Sequence, residues 1–256
     1  MEEISSIAIT GKGGTGKTML ATLMIKILTE TLGNKVLAID ADSAMSLPYT
    51  LGINIEKTVS DMRKDIILYE RVKRQMDSQP MRNVMRSILE KGNGFDLLTM
   101  GRPEEPGCFC AVNDLLKYGI DTLTRDYDIT IIDGEAGPEQ LNRRVLNNID
   151  ILLVVADMSA RSLETAQSIM KVALSNDNLH VKKAGLVLNR FKDDGRAETE
   201  ISGRIGMKVL GSIPEDNNLN EYDRAGKPLL QLPADSPSLA AVRKILQQIV
   251  PGFIRS

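Results

Sequence analysis

Short apolar runs alternating with helical periodicity organise this chain of 256 residues. Ser6-Ile7-Ala8-Ile9-Thr10, Lys35-Val36-Leu37-Ala38-Ile39, Phe95-Asp96-Leu97-Leu98-Thr99-Met100 and Tyr127-Asp128-Ile129-Thr130-Ile131-Ile132-Asp133 read as strands. The segments 151–156, 184–189 and 208–213 repeat the pattern. Runs this short and continuous are expected of parallel strands covered on both faces. Helices are predicted over 19–32, 61–73, 81–90, 111–123, 162–174, 197–205 and 239–249. The first is apolar nearly all round, as a helix packed on a sheet is, and Gly33 stands where a helix terminates. The alternation argues an α/β fold: one domain over 1–256, built on a doubly wound, mostly parallel β-sheet flanked by helices.

Two helical stretches need a separate reading. The insertion 55–92 carries many Arg and Lys residues together with Met62, Met76, Met81 and Met85. Amphipathic helices with core methionines and solvated charges account for it, rather than a soft-metal or client surface. The last helix begins at Asp235-Ser236-Pro237, a capping residue followed by a first-turn proline. Leu239, Val242, Ile245, Leu246, Ile249 and Val250 share one of its faces. Basic residues are sparse there, so core packing is expected over a membrane-surface tail.

Composition is that of an ordinary globular protein, 42% hydrophobic and 26% charged. A net charge of −2 provides no basic field for nucleic acid. No apolar run reaches membrane-span length, and Met1-Glu2-Glu3 is a poor secretory start. A cytoplasmic protein with reduced thiols is therefore expected, with no stable membrane insertion.

The first strand runs into Gly11-Lys12-Gly13-Gly14-Thr15-Gly16-Lys17-Thr18, and a helix follows. This is the phosphate-binding P-loop pattern in its strand–loop–helix setting. Glycines allow positive φ and bring backbone N–H groups against phosphate oxygens, while the helix N-terminus adds orphan donors. Lys17 is expected on the β- and γ-phosphates and the Thr18 hydroxyl on Mg²⁺. Asp40 and Asp42 follow the second strand, and Asp133 ends the fourth. Ligands of open α/β sheets bind outside the carboxyl ends of strands, which places these acids beside the nucleotide. Asp133 is expected to hold a Mg²⁺-bound water, Asp42 to orient the attacking water, and Asp40 to stand near the metal. The order of Asp40 and Asp42 is left open by the sequence.

Base recognition is expected later in the chain. Asn189 ends a strand, and its amide can donate and accept toward an adenine edge. A guanine-selective site would read Asn-Lys-x-Asp, but Arg190 and Lys192 fill the second and fourth positions, which favours ATP. The chain has two cysteines, Cys108 and Cys110. One intervening residue suits half a metal site better than a structural disulfide, although two helix-start cysteines would look the same. Two such thiolates from each copy of a symmetric dimer would give a soft or borderline cation four sulfur ligands. His180 is the sole histidine and is expected at the surface, in a turn after a helix. With no second histidine, a Cys/His finger or a histidine-based triad is excluded.

GKGGTGKT, with its second lysine Lys12, resembles the deviant P-loop of the MinD/ParA/nitrogenase-iron-protein class of ATPases. The resemblance implies that Lys12 crosses a dimer interface to the other copy's nucleotide, acting as an arginine finger does. Together with Gly107-Cys108-Phe109-Cys110-Ala111-Val112-Asn113, Asp133-Gly134-Glu135-Ala136-Gly137 and Ile213-Pro214-Glu215-Asp216, it resembles the CooC-type nickel-insertion ATPases. That subfamily implies ATP and Mg²⁺ at residues 11–18, Pro214 and Glu215 against the base, and Ni²⁺ or Zn²⁺ on Cys108 and Cys110. It further implies a nucleotide- and metal-dependent homodimer and a client nickel enzyme such as carbon monoxide dehydrogenase. Partner specificity is expected in the 55–92 insertion, because P-loop cores are shared and peripheral segments differ. Two positions depart from the pattern: Thr15 where valine is more usual, and Gln140 where histidine is expected. Two other readings follow from the wider class. One is a positioning switch on membrane or DNA like MinD or ParA; the other is an electron-donating ATPase with an interface iron–sulfur cluster.

Overall fold

The computed structural model describes residues 4–33, 35–68, 81–102, 108–138, 148–176, 179–192 and 197–250. In chain order these form β1 (Ser6–Gly11), α1 (Lys17–Leu32), β2 (Val36–Ala41), α2 (Ser46–Leu51), α3 (Val59–Leu68) and α4 (Met81–Ser87). β3 (Glu90–Lys91), β4 (Phe95–Thr99), α5 (Cys108–Leu123), β5 (Ile129–Ala136), β6 (Asn148–Ala156) and α6 (Ala160–Ser175) follow. The chain continues through β7 (His180–Asn189), α7 (Ala197–Ile205), β8 (Val209–Ile213), α8 (Asn217–Ala225) and α9 (Pro237–Ile249).

The strands form one sheet in the order β3-β4-β2-β5-β1-β6-β7-β8, parallel throughout except for the short β3–β4 pair. β1 lies between β5 and β6, with the earlier strands on one side and the later ones on the other. The carboxyl end of β1 is thus the switch point at which such sheets bind ligands.

Period-two alternation sends neighbouring residues of each buried strand into different cores. Ile7 and Ile9 face the core beneath α1, α2 and α9, while Ala8 faces the core beneath α3, α5 and α6. On β2, Val36 and Ala38 take the α1 side and Leu37 and Ile39 the other. Each fully buried Ile or Leu contributes roughly 1.5–3 kcal/mol, so both sheet faces require a helical cover. α9 provides part of it, with Leu239, Val242, Ile245, Leu246 and Ile249 all buried. Met62 and Met85 are core residues, as the amphipathic reading of the insertion expects. Met76 lies outside the described residues.

Several boundaries differ from expectation. β7 begins at His180 rather than Ala184, so the histidine opens a strand instead of sitting in a turn, although it is exposed as expected. His180, Lys182 and Lys183 at its start are exposed, while Val181 packs against the core. α4 ends at Ser87, and the chain then forms β3. α3 is described to Leu68; the remainder of the 61–73 prediction lies outside the described residues. α5 starts at Cys108, so both cysteines stand in its first turn rather than in the loop before it. α2 and α8, six and nine residues long, have no counterpart in the sequence reading. Among the described residues, no helix is long and apolar enough to cross a membrane.

Candidate functional site

The P-loop begins where β1 can no longer carry side chains. A Cβ on Gly11 would sit 2.2 Å from the Val155 carbonyl oxygen on β6. Gly16 has φ +97°, and a Cβ there would meet Asn189 Nδ2 at 2.3 Å. Only glycine meets both demands at little cost. Thr15 closes the turn: its hydroxyl donates to the Lys12 carbonyl at 2.8 Å. The departure from valine at this position is therefore used by the fold. Gly137 N–H donates to the Gly11 carbonyl at 3.0 Å, tying the segment after β5 to the loop. α1 starts at Lys17, which is buried, so its first-turn donors open into the loop.

The predicted acids converge. Asp40 on β2 is directly opposite Asp133 on β5 and Thr99 on β4. All three lie on the α1 side of the sheet, in register with Val36, Ala38, Leu97 and Ile131. Asp40 is fully buried and accepts from the N–H groups of Asp42 at 3.0 Å and Leu47 at 3.1 Å. Its role is thereby partly structural, since it holds the turn that leads into α2. Burial, followed by the facing Asp133 charge, raises its pKa from 3.8 to about 8 against these two donors. Asp133 is also buried, and neither carboxylate oxygen has a hydrogen-bond partner among the described residues. Burial lifts its pKa to about 7, while nearby Thr18 and Lys17 oppose the shift. A buried, unpaired carboxylate is costly unless a cation or donor answers it. Asp42 is half-buried and accepts from Ala44 N–H at 2.9 Å.

A cleft of about 830 Å³ opens over these groups, within the size range of small-molecule sites. Gly13, Gly14, Gly16, Lys17, Thr18 and Asp42 line it. Asn189, Pro214 and Glu215 line it as well. Asn189 is nonetheless already engaged. Its Nδ2 donates to the Thr15 carbonyl at 2.7 Å, and its Oδ1 accepts from Arg190 N–H at 2.9 Å. One N–H and one lone pair of that amide remain for a base. Lys12 is half-buried and does not line this cleft; its ammonium lies within electrostatic reach of Asp157 at the end of β6.

Sequence reading missed the cleft walls supplied by α2 and α8, among them Met45, Tyr49 and Asn220. Met45 and Arg190, both on the wall, have positive φ (54° and 53°), which is uncommon outside glycine. Asp216 at the start of α8 and Gly226 at its end were the available signals. Among the described residues, no three His, Cys, Asp or Glu side chains gather as a metal site. Cys110 is exposed and free.

The profile of the CobQ/CobB/MinD/ParA nucleotide binding domain matches residues 6–229. An uncharacterised ATP-binding protein of Methanocaldococcus jannaschii is 37% identical over 249 residues, 95% of this chain and 98% of its own. The carbon monoxide dehydrogenase accessory protein CooC of Rhodospirillum rubrum is 28% identical over 233 residues, 86% of this chain and 87% of its own. The septum site-determining protein MinD of Pyrococcus horikoshii, solved in complex with Mg-ADP, shares the fold. Its TM-score is 0.71 at 22% identity, over 96% of each chain.

Proposed function

The chain belongs to the CobQ/CobB/MinD/ParA nucleotide-binding family, and from that premise we propose an ATP-hydrolysing metallochaperone that works as a homodimer. ATP lies in the cleft with its phosphates over residues 11–18 and its base against Asn189, Pro214 and Glu215. Lys17 neutralises the β- and γ-phosphates, and Asp42 orients the attacking water. Lys12 points out of its own cleft and reaches the nucleotide of the second copy, so hydrolysis waits on dimerisation.

The observation that carries the nucleotide reading is the Asp133 carboxylate, buried and without a partner between Thr18 and Asp40. The donor set is hard oxygen throughout and fits Mg²⁺, with Thr18 and Asp133 holding the ion and its waters and Asp40 behind them. Bound there, Mg²⁺ would supply charge neutralisation for phosphoryl transfer.

The cargo reading rests on Cys108 and Cys110 and on the CooC relative. The chain enters α5 from the carboxyl end of β4, the end of the sheet that carries the P-loop. The chain has two cysteines, so a four-sulfur site needs a second copy. ATP-driven closure would bring the two first turns of α5 together around Ni²⁺ or Zn²⁺, and hydrolysis would release the ion to the client nickel enzyme.

Metal content per chain tests this. Protein equilibrated with Ni²⁺ or Zn²⁺ and a non-hydrolysable ATP analogue should elute as a dimer holding about one ion per two chains. The C108S/C110S double variant should lose the ion and keep ATP hydrolysis. Stoichiometric metal in that variant would refute the cargo role. ATP-dependent sedimentation with liposomes or DNA by a metal-free protein would replace it with a positioning role.

A further inference from the structure

Asp216 is a buried acid at the edge of the cleft that the scheme above does not use. It lies at a junction of three elements: the end of β8, the N-terminus of α8 and the N-terminus of α9. Its Oδ1 accepts from Asn218 N–H at 2.9 Å, which caps α8. Its Oδ2 accepts from the Ser236 hydroxyl at 2.5 Å and from Ser238 N–H at 3.2 Å. Ser236 in turn caps α9, accepting from Leu239 N–H at 3.3 Å. One carboxylate thus joins two helix starts that are twenty residues apart in the chain. Burial opposes its ionisation, but these donors and the two helix ends hold its pKa below the ordinary value.

Pro214 and Glu215, two residues of the cleft wall, are held between two fixed points. On one side Ile213 is fully buried and in register with Asn189, the residue bonded to the P-loop at Thr15. On the other side is the Asp216 clip. A wall supported at only one end would fray as helix and strand termini do.

The geometry points to Asp216 as a positioning residue for base recognition, which sets the Pro214–Glu215 wall by fastening it to the N-terminus of α9. The inference rests on the reading that the base sits against this wall. It gives α9, a helix that contributes no residue to the cleft lining, a defined part in nucleotide selectivity. It also separates two functions within one cleft: the P-loop holds the phosphates, and the clip holds the surface that identifies the base.

The test compares ligands with and without a base. D216N keeps the shape and the α8 cap, because asparagine caps as well as aspartate. It replaces the Oδ2 acceptor by an amide that cannot accept from Ser238 N–H. S236A removes the hydroxyl donor and leaves Asp216 in place. Titration of each full-length variant with Mg-ATP and with Mg-tripolyphosphate reads the two halves of the cleft separately. Both variants should weaken ATP about five- to tenfold and leave tripolyphosphate within about twofold. In turnover the KM for ATP should rise by the same factor with kcat within about twofold, and preference for ATP over GTP should fall. Equal weakening of both ligands would overturn the inference, since the clip would then support the phosphate site or the fold as a whole. Unchanged ATP affinity in S236A and D216N would also overturn it. If the wild-type chain bound ATP no better than tripolyphosphate, the wall would not be a base pocket, and that earlier reading would fail instead. Should D216N not fold, S236A decides alone.

Discussion

Replacing Asp133 by asparagine should make the nucleotide-free protein more stable and the enzyme inactive. In the metal-free fold this carboxylate is buried without a hydrogen-bond partner, opposite the buried Asp40. Its pKa rises from 3.8 to about 7, mainly through burial. A rise of that size corresponds to roughly 4 kcal/mol of destabilisation once the native group is ionised. The sign follows from proton binding. The folded protein keeps the proton where the unfolded chain has lost it, so stability falls as pH rises from about 4 to about 7 and then levels. Asparagine removes the charge but leaves an amide short of partners, which costs about 1–3 kcal/mol. Relief of Asp40, whose own pKa is raised first by burial and then by the Asp133 charge, adds to the gain. The net expectation at pH 8 is a gain of about 1–3 kcal/mol, or roughly 3–9 °C in melting temperature for a chain of this length. The gain should shrink toward pH 4 and level off below about pH 3, where wild-type Asp133 is protonated in both states. Calorimetry of both proteins in chelator across this range gives the curve. With Mg-ATP the order should reverse, because only the wild type has the carboxylate for the metal, and hydrolysis by D133N should drop at least about a hundredfold. A D133N protein that melts below wild type at pH 8 without metal would refute the reasoning, because the carboxylate would then be satisfied in the fold.

Three further outcomes are expected. G16A should lose ATP binding at least about tenfold and about 1–3 kcal/mol of stability, since its Cβ would meet Asn189 Nδ2 at 2.3 Å at a φ of +97°; binding and urea titrations check both. D150N should destabilise the fold by on the order of 2 kcal/mol at neutral pH. Burial works against Asp150, but Lys182 and the Ser5 and Ser6 donors hold its pKa down to about 2. Because the native pKa lies below the ordinary 3.8, that stabilisation is complete above about pH 4 and is lost as pH falls toward 2, so the two proteins should converge there in acid unfolding. K17A should bind ATP weakly and hydrolyse it at least about a hundredfold more slowly, with a melting temperature within a few degrees of wild type; steady-state phosphate release checks it.

Much of the site was legible because the P-loop is a local object. Glycines at Gly11, Gly14 and Gly16, a lysine and a threonine fall within eight residues, and steric and dipolar requirements act over that same span. The acids were legible for a related reason: a buried parallel strand is a short apolar run, and a carboxylate at its end marks the ligand side of the sheet. Asp40, Asp42 and Asp133 were found on that basis before any register was known.

What the sequence by itself determined is the seven parallel strands and the chemistry at their carboxyl ends, because each follows from forces acting over a few neighbouring residues. Only the tertiary structure decided what depends on contact between distant segments. It made Asn189 a brace for the P-loop through Thr15, and it built cleft walls from α2 and α8. It also carried the helix of Cys108 and Cys110 three residues further upstream than the apolar pattern suggests. Likewise, it joined Asp216 to Ser236 and Ser238 across twenty residues of chain. A hydrogen bond between such groups has no period and no neighbouring signal; it exists only once both cores have closed on the sheet and brought the helix ends together.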